Sequence, residues 1–143
     1  MTYTTDLLEG LADLMDGEAL GSYRPDEALP AGSTAIVLGR MPPDPDRVIA
    51  LNAYPVEDTD LSDAITAVQA RFRAGTDPRQ VDTAADQLFD LLHNRRHYTL
   101  RGIHVALSWR QSQAWIGQDT HGRMELTANY YFRTTRPSPH LHE

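Results

Sequence analysis

The chain has 143 residues, no cysteine and a formal net charge of -7. That length suits one domain with a core of its own, the missing thiols exclude disulfides and thiolate zinc sites, and the acidity argues against general adhesion to nucleic acid through a basic surface. All 13 basic residues are arginine, which coding composition explains as readily as a need for bidentate contacts.

Near the start, no basic stretch precedes an apolar one as in a signal peptide, and no apolar run reaches the roughly 18 residues that span a bilayer. A soluble, non-secreted protein is therefore expected. Leu7, Leu8, Leu11, Leu14 and Met15 share one helical stripe, Asp6 and Glu9 are spaced as a variant capping box, and Gly17 sits where the helix would end. Residues 21–25 predict a short extended piece and residues 30–33 a turn. The β-rich runs 34–38 and 48–54 flank a separator, residues 39–47, that is too rich in proline for helix or strand. The two runs predict a hairpin with a stiff projecting loop, a place where contacts are often carried.

Residues 65–73 alternate, with Val68, Ala70 and Phe72 on a core face and Gln69, Arg71 and Arg73 on a wet or shared one. Asp77 as N-cap, Pro78 in the first turn and Gln80 three residues past the cap announce a second helix. Val81, Ala84, Ala85, Leu88, Phe89 and Leu92 line its apolar stripe, and it should end near Asn94. Residues 98–105 predict a tight hairpin turning at Arg101 and Gly102, with the outgoing strand running to about Arg110. The turn at residues 119–122 leads into a last strand from Met124 to Thr135, with Leu126, Ala128, Tyr130 and Phe132 on one side. Pro137 and Pro139 close it, and residues 137–143 are expected to be a flexible tail. The sum is a single α+β domain over residues 1–143, mainly antiparallel β-sheet with two packed α-helices.

Reactive chemistry is sparse. His93 and His97 have the i, i+4 spacing of metal ligands, but the helix ends between them and no third ligand is evident. Asp58, Asp60 and Asp63 lack the glycine and the closing glutamate of a calcium loop. There is no nucleophile elbow, phosphate loop or dinucleotide fingerprint. The carboxylates are scattered, and a small hydrolase built on two of them is the enzyme alternative. No catalytic residue, cofactor or metal is expected. Arg71 and Arg73 suit a neighbour's carboxylates or a phosphate, while Trp115 and Tyr131 are residue types enriched at interface hot spots.

Residues 6–12 (DLLEGLA), 36–39 (IVLG), 50–56 (ALNAYPV), 77–82 (DPRQVD), Trp109-Arg110, 117–119 (GQD) and Asn129-Tyr130-Tyr131 form a collinear set over most of the chain. That set resembles the phage minor capsid proteins of actinobacterial siphophages, many of them regarded as tail terminators. The resemblance implies an α+β protein of the virion neck, assembled in the host cytoplasm, that caps the head-proximal end of the tail tube as a hexameric ring and gives the head something to join. Its implied partners are further copies of itself, the tail-tube protein and a head-closure or connector protein. DNA would pass through the lumen without specific binding, and no membrane is involved. It implies no catalytic residues. Another neck component is the alternative within the same class. In such a ring, Arg71, Arg73, Trp115 and Tyr131 are the candidate interface residues, and Met41, Pro43 and Asp119 stand on the loops expected to reach the tube or the connector.

Overall fold

A computed structural model describes residues 2–142. Helix α1 (Tyr3–Gly17) is followed by strands β1 (Ala35–Leu38), β2 (Val48–Asp58) and β3 (Asp63–Arg73), helix α2 (Pro78–Leu92), and strands β4 (Arg95–Leu100), β5 (Ile103–Gln118) and β6 (Met124–Thr135). The strands form one sheet in the order β1-β2-β3-β6-β5-β4. All neighbours are antiparallel except β1 and β2. The α+β architecture read from the sequence is the one observed.

Strand alternation sends Val68, Ala70, Phe72, Leu126, Ala128, Tyr130 and Phe132 to one face. There they meet Leu7, Leu11 and Met15 of α1 and Val81, Ala85, Leu88 and Leu92 of α2 in a single core. Burying each large side chain of this kind contributes about 1.5–3 kcal/mol. Both helices therefore lie on the same face, and no helix covers the opposite one.

Helix α1 begins at Tyr3 after the N-cap Thr2, not at Asp6, which lies in its first turn. The cause is tertiary: the Tyr3 phenol hydrogen-bonds Thr66 Oγ1 (2.8 Å) and Thr134 Oγ1 (2.6 Å), tying the first turn to β3 and β6. Farther along, Gly10 lets the helix touch the end of β4, where an added Cβ would meet Leu100 at 2.8 Å. Helix α2 starts as its sequence predicts, with Asp77 accepting from the Arg79 N–H (3.0 Å) and Pro78 next to the cap.

Two expectations change. The runs around residues 36 and 50 are not a hairpin: Ala35–Leu38 pairs in parallel with residues 48–51, so residues 39–47 cross back along the sheet. Strand β5 does not stop near Arg110 but continues to Gln118. Its register slips between Val105 and Leu107, Arg110 and Ser112, and Trp115 and Gly117, and each bulge breaks the alternation by which a strand is recognised. The predicted turn at Arg101 and Gly102 is present, both with positive φ (44° and 82°), as a two-residue primed turn requires.

The short outer strands are staggered. Strand β1 covers β2 only up to Leu51, and β4 covers β5 only up to Ser108, at the other end of the sheet. Past β6, the N–H of Arg136 donates to Ser62 O (2.7 Å) and that of His142 to Asp60 O (2.9 Å), so residues 136–142 return beside the turn between β2 and β3. No helix among the described residues is long and apolar enough to cross a membrane.

Candidate functional site

Where β3 ends and β6 begins, two arginines close over the proline-rich loop. A loop with prolines at 42, 43 and 45 is short of N–H donors while keeping every carbonyl acceptor. Arg73 supplies the missing donors: its guanidinium donates to the carbonyl oxygens of Pro42 (2.7 Å), Asp46 (3.0 Å) and Pro45, with a longer contact to Pro43 (3.4 Å). A planar fork of five N–H groups is suited to several acceptors at once. Only 4% of Arg73 is exposed. Burial and then the charge of Arg123 lower its pKa, while Asp119, Glu125 and Asp46 act in the other direction.

Arg123, also buried, joins this loop to the turn that precedes β6. It donates to Pro43 O (2.8 Å), Asp46 Oδ1 (3.3 Å) and Asp119 Oδ2 (2.8 Å). Asp119 Oδ1 meanwhile accepts from the backbone N–H groups of His121 and Arg123, both at 2.9 Å. Burial pushes the Asp119 carboxyl upward, but these N–H groups and the Arg123 guanidinium outweigh it and hold the pKa down at about 2. Next along the strands, Arg71 Nε donates to the buried Glu125 Oε1 at 2.7 Å. Three guanidiniums and three carboxylates thus lock the loop, the turn and the strand ends into one body. A groove of about 560 Å³ remains between loop and turn, lined by Pro43, Asp44, Thr76, Gln80, His121 and Arg123 among others.

Arg73 is therefore not on a wet face, and the loop does not project: it folds back over that arginine. Met41 is half-buried in it and Pro43 is exposed. Asp119 is brought to the same end of the molecule as Met41 and Pro43. Arg71 and Tyr131 lie on the same helix-free sheet face as Arg73, but clear of the loop. There Tyr131 meets Trp109 edge-on at 5.7 Å and the Arg133 guanidinium lies 5.9 Å from the Trp109 ring. Tyr54 donates to Asn129 Oδ1 and Asn129 Nδ2 donates to Ser112 Oγ, each at 3.1 Å. Trp115 is separate from both groups. It stands beside Ile116 on the part of β5 beyond β4, the pair 53% and 50% exposed.

The two histidines of the helix end are engaged apart. His93 stacks on Phe89 (4.4 Å) and its Nδ1 accepts from the Arg110 N–H, while His97 lies against His104 (5.7 Å). Among the described residues no cluster of His, Asp and Glu is arranged to hold a metal. Sequence reasoning overlooked Arg123, Glu125 and Asp46. The only local cue was the i, i+4 spacing of Asp119 and Arg123 across a turn.

Over residues 14–136 the chain matches the family described as bacteriophage tail terminator protein. None of the curated proteins matches it.

Proposed function

The chain belongs to the bacteriophage tail terminator family, a structural component of the phage particle, and on that premise we propose that it closes the head-proximal end of the tail tube as a ring of identical copies. Six copies complete the ring, and its outer surface is what a head-closure or connector protein joins. The observation that carries this reading is the arginine-locked end: residues 39–47 and 119–122 come from distant parts of the chain yet are held side by side as one rigid body. A preorganised surface of two loops loses little freedom on docking, which favours affinity, and Met41, Pro43 and Asp119 are its contact residues on the tube or connector. The formal charge of -7 suits a wall past which DNA must move without being held.

The test is electron microscopy of the protein mixed with its tail-tube protein. Caps at one end of tubes of finite length are expected, and removal of residues 42–45 should abolish capping. Unchanged tube growth, with attachment to capsid vertices alone, would sink the proposal in favour of a connector role.

A further inference from the structure

Paired residues can be followed across the sheet from one margin to the other. Glu57 faces Ile65, Ile65 faces Arg133, Arg133 faces Leu107, and Leu107 faces Arg96. In the next row Asp58 leads through Ala64, Thr134 and Val105 to Tyr98. Directly opposed residues share a face of the sheet, so Glu57 and Arg96 stand level, on the same helix-free face, at opposite margins. One margin carries Glu57 and Asp58, the other Arg95 and Arg96. None of these four forms an ion pair among the described residues. Arg96 contacts Asn94 Oδ1 (3.3 Å), and Arg95 lies over the ring of Tyr98 in its own strand (4.7 Å).

Both margins also present backbone. Beyond Leu51, β2 pairs with β3 alone, and β4 has a neighbour on one side only. Three strands separate β2 from β4 and every step between them is antiparallel, so β2 and β4 run in the same direction. We infer that the two margins join copy to copy: β4 of one molecule adds in parallel to residues 52–58 of the next, with Arg95 and Arg96 meeting Glu57 and Asp58. The occupant is a second copy of this chain, because each molecule offers both halves of the contact at one level, with opposite charge. Strand addition of this kind draws affinity from main-chain hydrogen bonds, and Pro55 removes one donor from that margin, as edge strands tolerate. The contact is heterologous, so repetition by rotation gives a closed ring.

The stagger of the short strands serves the same junction. The row Ile36, Ile49, Phe72, Leu126, Trp115 brings the exposed Trp115 to the margin level with β1 of the neighbour. The sheet is thus five strands wide at both ends, and the step left by β4 on one copy receives the step left by β1 on the next.

The inference rests on the ring reading, and charge exchange separates the two. Assembly is measured by mass in solution, alone and with the tail-tube protein, for the unaltered chain, Arg96→Glu, Glu57→Arg and the double variant. Each single reversal should raise the concentration needed for half-assembly about tenfold, and the double variant should restore it. Tm values check folding. Should a reversal lower the Tm, Arg96→Gln and Glu57→Gln replace the reversals and should weaken assembly in the same sense. Singles that assemble like the unaltered chain, or a double no better than the singles, overturn the edge junction while the ring stands. If the unaltered chain forms no ring under either condition, the ring reading and the junction fall together.

Discussion

At one end of the sheet Arg73 and Arg123 are buried among carbonyl oxygens and carboxylates, and both guanidiniums are satisfied within the same molecule. Along the margins Glu57, Asp58 and Arg96 stand in water, with no ion pair among the described residues. The same residue types perform opposite tasks, and burial decides which. A guanidinium removed from solvent must be satisfied internally or it destabilises the fold. One left at an edge costs the monomer almost nothing and stays available to another chain.

This contrast is open to attack at three strengths. Arg73→Met should have the largest effect, a loss of about 3 kcal/mol in denaturant unfolding, because several buried carbonyls lose their donor together. Residues 39–47 should then become sensitive to limited proteolysis. Arg73→Lys should rescue little, since one ammonium does not reach the same set of oxygens. Asp119→Asn should have a smaller effect that depends on pH. The folded carboxyl has a pKa of about 2 against an ordinary 3.8, so its contribution is fully present above about pH 4 and fades as the pH falls through 2. Melting curves of variant and unaltered protein should therefore differ at pH 7 and converge near pH 2. Smallest of all, Glu57→Gln should leave the Tm of the monomer unchanged. A marked drop in that Tm would mean that the margin is part of the monomer's own fold and would erase the contrast.

What was legible in the sequence follows the range of the forces involved. Asp77 with Pro78, the Arg101–Gly102 turn and the alternation of β6 are set by neighbours a few residues away, and each was readable from its own segment. The parallel pairing of β1 with β2 was not. Two β runs a short loop apart look like a hairpin, and the Arg73 and Arg123 hydrogen bonds that hold the loop in its crossing path come from positions distant in sequence. Tyr3 likewise starts α1 through Thr66 and Thr134, which no local capping pattern reveals. Alternation put Arg71 and Arg73 on one face, which is correct, but it carries no information about the loop that lies over Arg73 and not over Arg71. The family, by contrast, was readable because it rests on a collinear pattern over most of the chain, and no single residue had to be interpreted correctly.

Apart from one bond to the Asp46 carboxylate, the two arginines hold residues 39–47 by backbone oxygens, which every amino acid possesses. The shape of the loop is therefore stored in β3 and at the entrance to β6, and its outward side chains, Arg40, Pro43 and Asp44 among them, act as interchangeable facing on a fixed frame. Substitutions among those outward side chains would therefore change the exposed surface and leave the support beneath it in place.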